Sequence, residues 1–281
     1  MSHVIAILGP TASGKSALAM QLACKHNGEI VSCDSAQIYR GMDIGTAKPT
    51  RQDRAEIPHH MLDIADPRES YTAARYADEA LQCIEDIRQR GKAAVVCGGT
   101  GFYWRSLYRG LSDAPKGDLA LRARLDLHDG QDLHDRLAVV DPVSAANIPV
   151  NNKRRVIRAL EVFELSGKPL SSFEAHGAPR FDAEVLALRC DRAVLYDRIE
   201  RRVDAMIESG LLDEIRGLLD NSVSPSSQAM QAIGYKEFIG VIQNKLPLEE
   251  AVSQCKQNTR RYAKRQMTWL ARENDMRWID V

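Results

Sequence analysis

Residues 9–16 read Gly-Pro-Thr-Ala-Ser-Gly-Lys-Ser, the spacing G-x-x-x-x-G-K-[ST], and the chemistry of that spacing is phosphate binding. Gly9 and Gly14 let the backbone through Pro10, Thr11, Ala12 and Ser13 wrap around phosphate oxygens. Lys15 adds a full positive charge, and a helix starting at Lys15 or Ser16 adds the positive potential of its N-terminus. The Ser16 hydroxyl is of the kind that ligates Mg²⁺ in such loops. Any diphosphate accompanied by Mg²⁺ meets these requirements, so the loop alone does not name the molecule it holds.

A second residue narrows the chemistry. Phosphate loops that move phosphoryl groups usually keep a Mg²⁺-holding acid at the end of another apolar strand. Here the apolar run "AAVVCGGTG" ends without one, and Thr100 stands where a carboxylate would be expected. The acid lies instead in "VSCDSAQIY", as Asp34. If both runs are parallel strands, Asp34 falls at the carboxyl edge of the sheet, beside the phosphate loop, where open α/β sheets bind ligands. At that edge it has three possible tasks: holding Mg²⁺ through water, capping the Ala36 or Gln37 N–H, or accepting a proton from an acceptor substrate.

The elements needed to position these groups are legible around them. Val4–Leu8 is a continuous apolar run stopped by Gly9 and Pro10, which predicts a buried strand, and a helix follows from Lys15 or Ser16 with Ala17, Leu18, Leu22 and Ala23 on its inward side. "EIVSCDSAQIY" predicts a second strand ending near Asp34, and Ala93–Cys97 a third. Between them, "YTAARYADEALQCIEDIRQRG" has helical spacing with Ala77, Leu81, Ile84 and Ile87 inward and Gly91 as its stop. Strand, helix, strand, helix, strand implies an α/β fold with a parallel sheet covered on both faces. From about Asp113 to Asp182 charged helical stretches run with no strand between them, which predicts an inserted helical domain at 113–182 in a core made of 1–112 and 183–281. "AEVLALRC" then restores a strand. "RAVLYDRIERRVDAMIESGLLDEIRGLL" gives a long helical region, and Leu248–Arg272 one more amphipathic helix.

Composition limits the remaining classes. The chain has 281 residues, and 38 Lys and Arg balance 38 Asp and Glu, so no global field draws it to nucleic acid and any such contact must be local. The six cysteines are scattered without a C-x-x-C pair, which favours neither a disulfide framework nor a zinc site and fits a reducing, cytoplasmic compartment. No run approaches the apolar length of a membrane span, and "MSHVIAILGP" is too short for a signal peptide. His59 and His60 are adjacent, point different ways and have no further ligand nearby, so they read as structural.

The blocks "GPTASGKS", "VSCDSAQIYRGMDIGTAKP", "IPHHMLDI", "VCGGTGFY", "RVIRALEV" and "KRQMTWL", in this order, resemble the tRNA dimethylallyltransferases over nearly the whole chain. The resemblance implies a P-loop α/β core with a helical insertion. It also implies that the loop holds dimethylallyl diphosphate, whose five-carbon group is transferred to the N6 amine of the adenosine 3′ to the anticodon, position 37 of tRNA. By carry-over from the matching motifs, Asp34 is the general base. Thr100 faces the bridging oxygen of the leaving diphosphate, and Arg202, preferred over Arg198 in "RIERR", neutralises the diphosphate charge. Ser16 is the Mg²⁺ ligand. The implied tRNA contacts are Asp34, Ser35, Ala36, Gln37 and Thr100, with Arg122, Arg154, Arg155, Val156, Ile157 and Arg158 in the insertion.

Gln37 is of a type that reads an adenine edge. A second basic cluster, Lys256, Arg260, Arg261, Lys264 and Arg265, lies on the C-terminal helix. The sequence departs from the family at "IPVNNKRR", where His-Pro-Asn-Asp is common, and at Ala271, where arginine often follows "TWL". The expected enzyme works as a monomer on tRNA, away from membranes. Rival readings are an adenylate isopentenyltransferase acting on a free nucleotide, a P-loop small-molecule kinase, and a non-catalytic nucleotide switch.

Overall fold

A computed structural model of the chain describes residues 3–173, 177–274 and 276–281. The strands are β1 (Val4–Leu8), β2 (Gly28–Cys33), β3 (His59–His60), β4 (Ala93–Gly98), β5 (Glu184–Arg189) and β6 (Arg277–Asp280). They form one sheet in the order β3-β2-β4-β1-β5-β6, parallel at every pairing. Helices α1 (Lys15–Lys25), α2 (Arg51–Glu56), α3 (Ala73–Gln89) and α4 (Gly101–Arg109) alternate with the first four strands. Then come α5 (Leu119–Asp126), α6 (Gly130–Val140), α7 (Pro142–Asn147) and α8 (Lys153–Ser166), and after β5 α9 (Arg192–Glu208), α10 (Leu211–Asp220), α11 (Ile239–Ile242) and α12 (Leu248–Leu270).

The apolar runs read from the sequence are continuous because the sheet is buried on both faces. In β1, Val4, Ala6 and Leu8 enter one core while Ile5 and Ile7 enter the other; in β4, Ala94 and Val96 part from Val95 and Cys97 in the same way. Ala19 and Ala23 of α1 close the second core, and Tyr76, Ala80, Ile84 and Ile87 of α3 enter the first. This is the α/β, P-loop type of fold expected.

Three features differ from the sequence reading. β3 and β6, two and four residues long, add an edge strand at each end; runs this short carry no usable periodicity. The helical region 192–219 is two helices, because Gly210 takes a left-handed φ of 94° between α9 and α10. On α1 the buried residues are Ala19 and Ala23, whereas Ala17 is exposed.

The chain divides into two compact units: one runs to Tyr108 and resumes at Pro179, the other is Arg109–Ala178. The second has its own core, in which Leu121 and Leu125 of α5 and Leu133 and Leu137 of α6 meet Val156 and Leu160 of α8. Among the described residues no helix is long and apolar enough to cross a membrane.

Candidate active site

The phosphate loop joins β1 to α1. Ala12 and Gly14 are both left-handed, with φ of 64° and 85°, the alternation that turns successive N–H groups into one concavity. Gly14 is the N-cap of α1 and supplies no side-chain cap, so the first-turn amides are left for a ligand. Lys15 Nζ donates to Pro10 O at 3.0 Å, folding the lysine back over the loop. Burial pulls the Lys15 pKa down; Cys97 and Asp34 oppose that pull and Arg202 adds to it. The Ser13 hydroxyl oxygen is buried without a hydrogen-bond partner among the described residues. A cradle with uncapped amides, an orphaned hydroxyl and a cation bonded to a carbonyl suits an oxyanion.

Asp34 follows β2 at the same edge of the sheet. Its Oδ1 accepts from the Ala36 N–H at 2.9 Å and from the Gln37 N–H at 3.4 Å, whereas its Oδ2 has no hydrogen bond among the described residues. Capping thus engages one oxygen of the carboxylate and leaves the other without a bond among the described residues. Thr100, after β4, faces the same turn: its Oγ1 accepts from the Ser35 N–H at 3.1 Å and donates to Ser35 Oγ at 3.4 Å.

Of the arginines in "RIERR", Arg202 reaches the loop, donating to Thr11 Oγ1 at 3.3 Å. Arg201 pairs with Asp197 at 2.9 Å, and Arg198 contacts Cys190 Sγ at 3.8 Å. Burial lowers the Arg202 pKa, with the Asp34 carboxylate opposing. Lys15, Asp34, Thr100 and Arg202 are thus gathered at one sheet edge from α1, the β2 turn, the β4 turn and α9.

The Gln37 amide is engaged within the fold. Its Oε1 accepts from the Ser32 hydroxyl at 3.0 Å, and its Nε2 donates to Thr46 O at 3.2 Å and Ala47 O at 3.3 Å. Those bonds fold the segment after Asp34 and leave the amide engaged. The same segment is held by two residues the sequence reading missed. Lys48, fully buried at its side chain, binds Asp43 and Asp63 at 2.6 Å each and the Tyr39 carbonyl at 2.8 Å. The Glu214 carboxylate accepts the N–H groups of Asp43, Ile44 and Gly45 at 2.9, 2.8 and 3.2 Å and the Tyr235 hydroxyl at 2.6 Å. A charged residue inside an apolar stripe of α10 was the available signal.

The helix α12 also reaches this edge. Gln266 lies against the phosphate loop and the glycine turn after β4. Four residues earlier, Tyr262 has its phenol pushed up to about 12 by burial, with Asp34 adding to the shift and Thr100 opposing it.

The remaining predicted residues lie in the helical unit. Val156 and Ile157 are buried in its core, so their side chains are not available to a polynucleotide. Arg122 is bidentate on Glu161, at 2.8 and 2.9 Å, and Arg158 reaches the same carboxylate at 2.5 Å and the Pro115 carbonyl at 2.7 Å. Glu161 is fully buried. Burial pushes its carboxyl up, but the bonds from Arg122, Arg158 and the Asp118 amide prevail and hold it below the ordinary range. Arg154 and Arg155 are exposed and have no ion pair among the described residues.

Of the basic residues on α12, Lys256 and Arg260 pair with Asp204 and Glu200, at 2.7 and 2.6 Å. Arg261, Lys264 and Arg265 are exposed, and Arg265 lies 5.7 Å from the centre of the Tyr262 ring. His60 is hydrogen-bonded to Glu29 at 2.7 Å and His59 to the Ile57 carbonyl at 2.7 Å.

A Mg²⁺ ion fits this edge as a companion of the ligand. Among the described residues no group of three His, Cys, Asp or Glu could hold a metal, while the Ser16 hydroxyl is exposed on the first turn of α1 without a hydrogen bond. Mg²⁺ bound through phosphate oxygens, water and one hydroxyl matches such a donor set.

Residues 37–273 match the family model described as IPP transferase. A tRNA dimethylallyltransferase of Geobacter metallireducens is 48% identical over 99% of this chain and 93% of its own length. One from Bacillus mycoides is 46% identical over 99% and 90%. The crystal structure of the tRNA isopentenylpyrophosphate transferase of Bacillus halodurans superposes with a TM-score of 0.74 at 42% identity, covering all of this chain and 90% of that one. A eukaryotic dimethylallyltransferase captured acting on tRNA gives a TM-score of 0.85 at 34% identity, covering all of this chain and 74% of that one.

Proposed function

The chain belongs to the IPP transferase family, that of the tRNA dimethylallyltransferases, and from that premise we propose how its own residues carry out the transfer. The donor is dimethylallyl diphosphate and the acceptor is the N6 amine of adenosine 37, beside the anticodon of tRNA. The amine nitrogen attacks C1 of the dimethylallyl group, the C1–O bond to diphosphate breaks, and the amine proton passes to a carboxylate. An adenine amine is a weak nucleophile, because its lone pair is delocalised into the ring, and a positioned base is the standard remedy. Asp34 Oδ2 is that base; Oδ1 keeps the turn folded.

Negative charge grows on the departing diphosphate as the bond lengthens. Fixed donors aimed at such charge contribute about 3–4 kcal/mol each. Lys15, the loop amides and Arg202 meet the diphosphate, and Thr100 lies toward its bridging oxygen. Mg²⁺, held by Ser16 and the diphosphate, supplies charge neutralisation when bound. The adenine must leave the anticodon stack to reach the edge of the sheet. Ser35, Ala36 and Thr100 line its entry, and Arg154 and Arg155 meet tRNA phosphates. The enzyme acts as a monomer in the cytoplasm, and six free cysteines support the reducing compartment.

The observation that carries this reading is the divided carboxylate of Asp34 beside an uncapped phosphate loop. The test is label transfer from radiolabelled dimethylallyl diphosphate, with Mg²⁺, to unmodified tRNA, in parallel with AMP and ATP. Label in tRNA alone is the expected result. Label in the nucleotide instead would assign the chain to free-nucleotide prenylation.

A further inference from the structure

Gln266 is 3% exposed, on a face of α12 whose other buried members are Ala251, Cys255, Ala263 and Leu270. An amide side chain in such company must have both ends satisfied. Its Oε1 accepts from the Thr11 N–H at 2.8 Å, and its Nε2 donates to the Gly99 carbonyl at 2.9 Å. Thr11 belongs to the loop between β1 and α1, and Gly99 to the turn between β4 and α4. One side chain, more than 160 residues away from either partner, bridges the backbones of both. The approach is close enough that a Cβ on Gly99 would lie 2.2 Å from Nε2.

We propose that Gln266 is a positioning residue for the transfer reaction, holding the diphosphate loop and the Thr100 turn at a fixed separation. The proposal rests on the reading that the loop holds the donor diphosphate. Gly99 immediately precedes Thr100. Thr11 turns its N–H into Gln266 while its Oγ1 receives Arg202, so the amide also fixes the partner of that arginine. The donor and acceptor sides of the reaction are thereby tied to α12, the helix that also carries Tyr262 and the exposed Arg261, Lys264 and Arg265.

The residue type follows from the partners. One atom must accept from an N–H while its neighbour donates to a carbonyl, which an amide does at every pH. A carboxylic acid does so when protonated, but a carboxylate sets a second acceptor against the Gly99 carbonyl. A hydrocarbon leaves Thr11 N–H and Gly99 C=O buried and unpaired. Next to the segments the amide joins, Lys15 of α1 bonds the Pro10 carbonyl and Arg202 of α9 bonds Thr11, while Tyr262 lies one turn before Gln266 on α12; Lys15 is coupled in turn to Cys97 of β4 and Asp34 after β2. Only the ratio of variant to wild type at each pH separates Gln266 from the pH dependence of the reaction itself.

The test uses the full chain with Gln266→Leu and Gln266→Glu, assayed for transfer to tRNA from pH 5.5 to 9, with thermal unfolding and inorganic diphosphate titrations alongside. A displacement of about 1 Å between reacting groups lowers turnover on the order of 100-fold, so Q266L is expected to lose that much kcat with a nearly unchanged KM for tRNA. The Q266E ratio to wild type is expected to rise as pH falls, while the Q266L ratio stays flat. A Q266E ratio that is flat with pH, or kcat retained in Q266L, overturns the proposal. If Q266L does not fold, the isosteric Q266E profile decides alone. Should the wild type transfer no label at all, the functional reading fails. Diphosphate titration then still tests the loop, because positioning predicts weaker binding by Q266L and unchanged binding refutes it.

Discussion

The cations at the sheet edge and those of the helical unit look alike as sequence and differ in what their charge meets. Lys15 donates to a carbonyl and Arg202 to a hydroxyl, and neither has a carboxylate within ion-pair distance among the described residues. Arg122 and Arg158 both converge on Glu161. A partly buried cation without a counter-charge is unfavourable until an anion arrives, whereas a paired one is already satisfied. The difference separates cations on neutral acceptors from cations already paired with a carboxylate, although a basic cluster in a sequence suggests ligand binding for both.

The sharpest way to break this division is at its centre, Asp34. Asparagine keeps an oxygen for the Ala36 and Gln37 N–H groups and removes only the proton acceptor. Asp34→Asn is expected to lower transfer by about 10²- to 10⁴-fold while leaving diphosphate affinity within about threefold, read by single-turnover label transfer and by calorimetry. Equal loss of both would make Asp34 a binding or structural residue. Asp34→Ala should lose somewhat more, since it also uncaps the turn.

Next in size is Glu161, on the opposite side of the comparison. Removing the carboxylate strands two guanidiniums that are 40% and 31% exposed, so Glu161→Gln should destabilise the helical unit by about 2–3 kcal/mol, less than for a wholly buried pair. The pH dependence follows from the sign of the shift. A carboxyl held below its ordinary value stabilises the fold above the unfolded-state pKa, about 4.3, and that stabilisation is lost as pH falls through the folded value. Unfolding of the wild type should therefore become easier in acid, and the E161Q curve should be flatter there. Indistinguishable acid limbs would remove Glu161 from the stability of the unit.

How much of this was open to the sequence depends on how local each feature is. The phosphate loop is eight consecutive residues, and the apolar runs of β1, β2, β4 and β5 are uninterrupted, so the fold class and the loop were legible. Asp34 was legible as an acid ending an apolar strand. The link between Arg202 and Thr11 spans 191 residues and that between Gln266 and Thr11 spans 255, and only folding brings such pairs together. Buried polar residues left a fainter trace. Glu161 stands in "RALEVFEL" on the buried stripe of α8, and Gln266 on the buried stripe of α12. A polar residue where the helical period demands an apolar one means a buried partner, but the period does not say which.

Lys15 sharpens the comparison through protons. Burial lowers its pKa in the free site, and a bound diphosphate, being an anion, raises it again. Between the two values, binding draws a proton onto the lysine, so affinity falls as pH rises and calorimetry in buffers of different ionisation heat records uptake. Subtracting the same titration for Lys15→Met cancels the protons of diphosphate itself. A difference of zero across the alkaline range would mean that Lys15 enters the complex already fully charged and gives no proton-linked selectivity.

The smallest effect is expected from Arg154 and Arg155, and it completes the division. Both are exposed on the first turn of α8, with no carboxylate engaged among the described residues, one turn from Arg158 on its buried acid. If they meet tRNA phosphates, replacing both with alanine reduces the slope of log affinity against log salt by roughly 0.7–0.9 per lost contact. The weakening should be largest at low salt and the rate at saturating tRNA unchanged. Neither thermal stability nor diphosphate affinity should move, because neither charge has an ion pair among the described residues. Arg158→Ala should show the reverse pattern, a fall in stability with little change in salt slope. A salt slope unaffected by the double change would take the first turn of α8 out of the tRNA interface, and a slope lowered by Arg158→Ala at constant stability would show that a cation already paired with Glu161 can still be recruited by phosphate.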